Sequence, residues 1–323
     1  MTQGLPNLET DMSVVDLVDH HHIDWARVQH SAYLIHQHLH YDYPGPINDL
    51  QQRLMILPPQ QYGGQSLLDH RLSVTNSTVE TVYREDSFGN TEIMLCVPYV
   101  ESSIDFEAWI LVERCVELEP MQFPADPLIC KRFLQPSLLT QPDEALREAA
   151  TMLKAQGKEG LELAQQINEW VYQNMEYAHD VTGIRTAAAQ AWALKQGVCQ
   201  DYAHIMIALC HLCNIPARYV SGHLLGEGGT HAWVEAIVPL EQQPDTLIAV
   251  PFDPTHGRQA HMGYVAIAVG HDYFDVAPTS GTYRAAYSGQ LSARKTVGLT
   301  MYEYTDTIKF GDDGKLKSGS TTI

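Results

Sequence analysis

One cysteine of this chain stands where a nucleophile would be expected. In the segment "GVCQDYAH", Cys199 follows Gly197 and Val198 at the point where the sequence predicts the start of a helix. The first N–H groups of a helix have no intrahelical acceptor and the helix dipole is positive there, so this position favours the reactive thiolate. Gly197 permits a tight turn and the close approach of a substrate carbonyl, and the Cys199 amide can help to hold an oxyanion. For Cys199 taken alone, a small buried core residue is the alternative.

A nucleophilic cysteine needs a base and a group that orients the base, and the sequence offers both. In "GEGGTHAWVEAIVP", His231 opens a predicted strand behind a glycine-rich turn, and in "VPFDPTHG", Asp253 ends the next strand. The alternatives are a solvent-facing loop histidine and an aspartate that only forms a turn before proline. The start of one antiparallel strand lies beside the end of its neighbour, so we expect the two side chains to be adjacent, with the Cys199 helix packed across them.

The other cysteines do not form a metal or disulfide pattern. Cys210 and Cys213 make a single Cys-x-x-Cys inside an apolar helix, which favours core packing over zinc binding. The six cysteines are scattered along the chain, as is typical of free thiols in a reducing cytoplasm.

Three histidines alternate near the N-terminus. His36, His38 and His40 would lie on one face of a strand, where imidazoles can bind Zn²⁺ or Ni²⁺. A solvated sheet face is the favoured interpretation, because no carboxylate or cysteine shares their spacing. There is also no glycine-rich phosphate loop, so the sequence implies no cofactor and we assign no metal site.

The periodicity of the chain divides it into a β half and an α+β half. Alternating runs with turn residues such as Asn76 and Ser77 predict an antiparallel β-sandwich domain over residues 1–120. The proline-rich residues 121–141 predict a linker, and helical spacing followed by β-branched strands predicts a catalytic domain over 142–305. The polar, glycine-rich residues 306–323 are expected to form a flexible tail. The predicted fold class is therefore α+β.

The composition limits the partners and the location. Lysine and arginine total 20 against 39 aspartates and glutamates, so the formal net charge is −19 and disfavours nucleic acid and anionic membranes as partners. The N-terminus lacks a basic region followed by an apolar run, and no apolar segment is long enough to span a membrane. A cytoplasmic location is expected.

Four segments resemble the bacterial transglutaminase-like family, which is part of the papain-like cysteine enzyme superfamily. They are "GVCQDYAHIMIALCHLCNIPARYVSGHL", "HAWVEAIVP", "DPTHG" and "AIAVGHDYFDVAPTSGTYRA", while "YREDSFGNTE" resembles the N-terminal β domain of such proteins. The resemblance covers roughly residues 30 to 290. It implies a papain-like core with the cysteine helix packed on an antiparallel sheet, and it gives Cys199, His231 and Asp253 the roles of nucleophile, base and orienting acid.

The resemblance also indicates residues around the triad. Tyr202 and Trp233 match aromatics that usually flank the site, and with Gln200 they are the expected substrate-binding residues. Three positions depart from the family: Ala249 replaces a tryptophan, His256 stands in "DPTHG" where "DPTNG" is common, and His271 replaces an arginine. These departures change the walls of the cleft and not the triad.

The implied function is a cysteine-dependent hydrolase of amide or peptide bonds that forms an acyl thioester on Cys199. The family also includes acyltransferases and amide-bond-forming enzymes, and residue spacing does not reveal whether water or an amine resolves the thioester. Bacterial relatives of this layout are mostly regarded as proteases, which favours hydrolysis. A non-catalytic peptide-binding protein and a metal-dependent hydrolase are the other classes considered. The expected partner is a peptide or protein substrate that presents a side-chain or backbone amide.

Overall fold

The computed structural model describes residues 17–75, 79–116, 120–241 and 243–304. Its helices are Pro127–Phe133 (α1), Glu144–Lys154 (α2), Gly160–Asn174 (α3), Ala188–Leu194 (α4), Cys199–Leu212 (α5) and Tyr273–Val276 (α6). Its strands are Val28–Asp42 (β1), Ile47–Leu57 (β2), Gln61–Tyr62 (β3), Gln65–Val74 (β4), Glu80–Glu85 (β5), Thr91–Val100 (β6), Ser103–Cys115 (β7), Gln122–Pro124 (β8), Glu176–Tyr177 (β9), Gln196–Gly197 (β10), Ala217–Leu224 (β11), His231–Leu240 (β12), Gln243–Asp253 (β13), Arg258–Gln259 (β14), Tyr264–Gly270 (β15), Thr279–Arg284 (β16) and Gln290–Tyr304 (β17). None of the helices within the described ranges is long and apolar enough to cross a membrane.

Two antiparallel sheets form the sandwich that the sequence predicts. One sheet has the strand order β17-β1-β7-β4-β3 and the other has the order β16-β2-β6-β5. Alternate residues of β1 and β2 point inward, so that Tyr33, Ile35 and Leu39 pack in one apolar core with Leu50 and Leu54. The antiparallel sandwich at the N-terminal side is confirmed.

The last two strands of the described chain also belong to the sandwich. β16 pairs with β2, and β17 pairs with β1 along most of its length. From the sequence, these residues were expected in the domain over 142–305, because alternation predicts a strand but does not identify the sheet that it joins. The domain limits themselves stay predictions, but both ends of the chain contribute strands to the sandwich.

The predicted linker over residues 121–141 contains regular structure. β8 pairs with β13, and α1 begins at Pro127 after Asp126, whose side chain accepts a hydrogen bond from the Leu128 N–H. Proline is well suited to the first turn of a helix as well as to a linker, so the prolines alone do not distinguish the two. The expected turn at Asn76 and Ser77 and the expected tail over 306–323 lie outside the described residues.

The second half of the chain forms a helical layer on a mixed-length antiparallel sheet. This sheet has the order β14-β13-β12-β11-β15, with β8 added at β13. α5 packs against β12 and is surrounded by α2, α3 and α4, so that every residue from Gln200 to Cys210 is buried. The α+β class is confirmed, as is the packing of the cysteine-bearing helix on an antiparallel sheet.

Two buried amide side chains join the sandwich to the edge of this sheet. Gln65 donates to the carbonyl of Ala266 at 2.8 Å and accepts from its N–H at 2.9 Å. Asn90 makes the same pair of bonds with Val269, at 2.7 and 2.8 Å. The open edge of β15 is thus satisfied by side chains that make the hydrogen bonds of a neighbouring strand, and these bonds fix the sandwich against the second half of the chain.

Candidate active site

The first turn of α5, the helix that carries Cys199, is held by hydrogen bonds to the Asp201 side chain. The Asp201 carboxylate accepts a hydrogen bond from the Val198 N–H at 2.8 Å and another from the Thr182 hydroxyl at 2.6 Å. Gly197 does not have a positive φ, and it ends the short strand β10. A Cβ at Gly197 would instead lie 2.5 Å from Asp201 Oδ2, which means that the glycine makes room for the group that fixes the helix start.

His231 and Asp253 are adjacent, as the order of the strands predicts. His231 Nε2 lies 2.8 Å from Asp253 Oδ2, and both side chains are buried. The same oxygen also accepts a hydrogen bond from the Tyr264 hydroxyl at 2.6 Å and lies 2.7 Å from His256 Nδ1. Burial alone would raise the pKa of Asp253, but the hydrogen bonds from His231 and His256 outweigh it and hold the pKa well below its usual range. Asp253 is therefore ionised at neutral pH, next to the imidazole of His231.

The His231 ring forms a hydrogen bond with the side chain of Cys199. Burial would lower the pKa of His231, but its contacts with Asp253, Cys199 and Glu227 raise it well above the usual value. Nε2 is engaged by Asp253, so Nδ1 is the atom left to face other groups, and it lies 3.3 Å from Glu227 Oε2. The surroundings of His231 therefore favour the imidazolium.

Cys199 and His231 open into a cleft of about 350 Å³. Gln200 and Ser221 line it from α5 and β11, while Leu39 and Lys295 line it from the sandwich. Two other cavities, of about 60 and 410 Å³, contain neither Cys199 nor His231 among the described residues that line them. The sandwich therefore supplies one wall of the candidate active site, which the sequence did not predict.

The expected substrate-binding residues have different positions. Gln200 lines the cleft next to Cys199. Tyr202 is buried in the helical core, and Trp233 is buried with its ring 6.3 Å from that of His231. Neither Tyr202 nor Trp233 is among the described residues that line the cleft, so the structure brings only Gln200 to the place where a substrate would lie.

The three residues that depart from the family pattern, Ala249, His256 and His271, lie in different places in the structure. Ala249 is buried and lines the small cavity of about 60 Å³, which is not the cleft that holds Cys199. His271 contacts Asp275 at 3.0 Å and is not among the described residues that line the cleft. His256 contacts the triad directly through Asp253, so only this departure changes the electrostatics of the site.

Glu227 was not predicted from the sequence as a site residue. It contacts both His231 and His256, which in turn contact Asp253. Its two carboxylate oxygens lie 3.3 Å from His231 Nδ1 and 3.3 Å from His256 Nε2. Hydrogen bonds with these two histidines lower the pKa of Glu227 to about 2. The signal available in the sequence was a charged residue between glycines in "GEGG", whereas Tyr264 looked like an ordinary strand residue.

Histidine and carboxylate atoms meet at two further places. His231, Asp253 and His256 offer atoms within 4.8 Å of one another, but both rings already share one oxygen of Asp253. On the outer face of β1, His36 lies 2.8 Å from Glu107 and His38 lies 2.8 Å from Asp105. The carboxylates that the local spacing lacked come from β7, and they make this face a network of surface ion pairs. His40 also contacts Asp105, at 2.7 Å.

The two cysteines at the end of α5 differ from Cys199 in their surroundings. Cys210 and Cys213 are buried, and burial raises the pKa of both thiols. Cys199 is partly exposed at the cleft. The expected core packing of Cys210 and Cys213 is confirmed.

Comparisons with known proteins agree with this architecture. Residues 147–249 match the transglutaminase-like superfamily, and residues 33–113 match the bacterial transglutaminase-like N-terminal region. The first match includes Cys199 and His231 and ends before Asp253. A solved structure of a candidate cysteine protease from Cytophaga hutchinsonii aligns with a TM-score of 0.68 and 24% identity, over 90% of this chain and 96% of that one. This likeness concerns the fold.

Curated relatives are found in mycobacteria. An uncharacterized protein of Mycobacterium leprae is 33% identical over 124 residues, which are 35% of this chain and 42% of that protein. An uncharacterized protein of Mycobacterium bovis is 30% identical over 149 residues, which are 43% of this chain and 47% of that protein. The chain spans less than half the length of these relatives.

Proposed function

We propose that this protein hydrolyses amide or peptide bonds through an acyl thioester formed on Cys199. The proposal is supported by the match of residues 33–113 to the bacterial transglutaminase-like N-terminal region and of residues 147–249 to the transglutaminase-like superfamily, whose fold is that of a cysteine-based enzyme. The observation that carries the proposal is the buried 2.8 Å contact between His231 and Asp253 at the cleft that holds Cys199. The named solved neighbour is a candidate cysteine protease, which agrees with hydrolysis.

In the first half of the reaction, the sulfur of Cys199 attacks the amide carbonyl. The thiol proton passes to His231, whose Nδ1 is the ring atom not engaged by Asp253. The Cys199 amide and the Gln200 side chain support the oxyanion, because the first helical N–H groups have no intrahelical acceptor. The imidazolium then protonates the leaving amine, the C–N bond breaks, and the acyl thioester remains.

In the second half, water attacks the thioester and His231 takes its proton. The C–S bond breaks, the acid is released, and the proton returns to the sulfur of Cys199. Asp253 stays ionised in both halves and stabilises the imidazolium, in agreement with its lowered pKa. With an amine in place of water the same steps give acyl transfer, so the two functions differ only in the acceptor.

The experiment measures acyl-enzyme formation with a reactive ester or a glutaminyl peptide by intact mass. Cys199→Ala and His231→Ala should each remove nearly all turnover, and Asp253→Asn should be severe because the amide favours the wrong tautomer of His231. The matched control is Cys130→Ala, which removes a partly exposed thiol outside the cleft. A wild-type rate in Cys199→Ala would refute the thioester mechanism.

Adding an amine acceptor distinguishes the two enzymatic outcomes. Unchanged release of the acyl group in the presence of amine indicates a hydrolase, and faster release indicates an acyltransferase. Binding of a peptide without acylation would favour a non-catalytic peptide-binding protein, and loss of activity with a chelator would favour a metal-dependent hydrolase. The cytoplasmic location and the exclusion of nucleic acid and membrane partners stay predictions from the composition.

A further inference from the structure

A lysine from the sandwich faces the same cleft as Cys199. Leu291, Ala293 and Lys295 alternate along β17, and all three line the cleft, so they project from one face of that strand. On the neighbouring strand, Leu39 lies opposite Ala293 and Gln37 lies opposite Lys295. Within the part of the chain that the structure describes, Lys295 has neither an ion pair nor a hydrogen bond through its side chain.

Apart from Lys295 and the Cys199–His231 pair, the described residues that line the cleft are uncharged. No aspartate or glutamate is among the described residues that line it, although acids outnumber bases by 39 to 20 in the chain. Burial raises the pKa of three lining tyrosines, so their hydroxyls are neutral at neutral pH; they are Tyr177, Tyr219 and Tyr273. His223 lies near Lys295, and burial lowers its pKa to about 3, so it is neutral as well. Apart from the Cys199–His231 pair, Lys295 is therefore the charged side chain among the described residues that line the cleft, and no carboxylate of this lining is paired with it.

This charge has lost part of its water. Burial lowers the pKa of Lys295 to about 8, so at neutral pH most of the side chain is still protonated. An ammonium group that is partly desolvated and unpaired is unfavourable, and an anion that enters the cleft relieves this cost. The alternative is an alkyl stem that merely directs its charge toward solvent.

We propose that Lys295 binds a carboxylate of the substrate, so that the preferred substrates are amides or peptides that carry a carboxylate near the bond attacked by Cys199. The proposal rests on the proposed function and specifies its substrate class. Ammonium groups pair with carboxylates at close range, and the low polarity of Leu39 and Leu291 strengthens that pairing. The cleft volume of about 350 Å³ is near the lower end of the ~300–1,000 Å³ of small-ligand pockets, which suits a short acidic group.

The test uses two pairs of alkylating reagents that differ in charge. Iodoacetate and 3-bromopropionate carry a carboxylate, whereas iodoacetamide and 3-bromopropionamide are their neutral counterparts of similar shape. The rate of Cys199 modification is measured by peptide mass in the wild type, in Lys295→Met and in Arg294→Met. Arg294 is the adjacent exposed residue of β17 and does not line the cleft, so its replacement controls for net charge.

For at least one of the two reagent pairs, the ratio of the modification rate with the acid to that with the amide should fall about tenfold in Lys295→Met. A tenfold change is the lower part of the range for a charge-assisted contact. The ratio should stay unchanged in Arg294→Met. Lys295→Glu should lower the ratio further. An unchanged ratio in Lys295→Met for both pairs, or equal losses with acid and amide, would overturn the proposal. Acylation of Cys199 by p-nitrophenyl acetate in the same variants tests the proposed function separately, because this neutral ester does not depend on Lys295.

Discussion

Replacing His256 by asparagine should change the pH dependence of folding stability. The imidazole of His256 lies between Asp253, at 2.7 Å, and Glu227, at 3.3 Å, and these contacts raise its pKa from 6.5 to about 9. Asparagine keeps a neutral hydrogen-bonding group at this position but cannot carry the positive charge. The substitution therefore isolates the contribution of the imidazolium.

The sign follows from linkage. His256 binds its proton more tightly in the folded state, so the charge stabilises the fold fully below pH 6.5, and this contribution is lost as the pH rises through 9. A pKa rise of this size corresponds to roughly 3 kcal/mol for a fully shielded group. Since 34% of the side chain is exposed, screening reduces the expected effect to about 1 kcal/mol.

The partners of His256 do not titrate in this window. The pKa of Glu227 is lowered to about 2 and that of Asp253 is held well below its usual range, so both remain anions between pH 6 and 9. Urea unfolding of the wild type and His256→Asn at pH 6, 7.5 and 9 measures the difference. His22→Asn, at an exposed position, is the matched control.

We expect His256→Asn to be less stable than the wild type by about 1 kcal/mol at pH 6, and we expect the two proteins to converge by pH 9 or slightly above. A difference that is independent of pH would mean that His256 contributes through packing or neutral hydrogen bonds. A difference that grows with pH would contradict the sign of the argument.

Two further predictions concern the start of α5. Limited iodoacetamide treatment at neutral pH should modify Cys199 first and leave buried Cys210 unmodified until the protein unfolds, as read by peptide mass; preferential labelling of Cys210 would contradict the assignment of the reactive thiol. In thermal unfolding, Gly197→Ala should destabilise the fold by about 1–3 kcal/mol, because the new methyl group would collide with Asp201. The control Gly228→Ala should be nearly neutral, because no heavy atom lies within 4 Å of the added methyl group. Equal effects of the two substitutions would refute the steric account.

The triad could be placed from the sequence because its signals are local. Cys199 follows a recognisable segment, and His231 and Asp253 lie at the ends of strands that follow each other along the chain. Antiparallel pairing of consecutive strands then brings them together without any long-range information. Their catalytic roles stay predictions.

The wall opposite the triad could not be placed in the same way. Lys295 is one of several charged residues in an alternating strand, and only the pairing of β17 with β1 shows that it faces the cleft. Glu227 depends in a similar way on where a glycine-rich turn folds back. Tyr202 and Trp233 were assigned by resemblance to the family. Both are buried and neither is among the described residues that line the cleft, so their role as substrate-binding residues stays a prediction.

The pairing of β1 with β17 also has a consequence for how the protein is made. During synthesis the N-terminal strands emerge first, and β1 has an open edge until β17 has been translated. A nascent or C-terminally clipped chain that stops before Gln290 already contains Cys199, His231 and Asp253, yet it has no β17 to close the cleft. Such a chain would carry Cys199 without Lys295, the residue that we propose binds the substrate carboxylate. Selection of substrates by their carboxylate would therefore begin only after β17 has been made and has paired with β1.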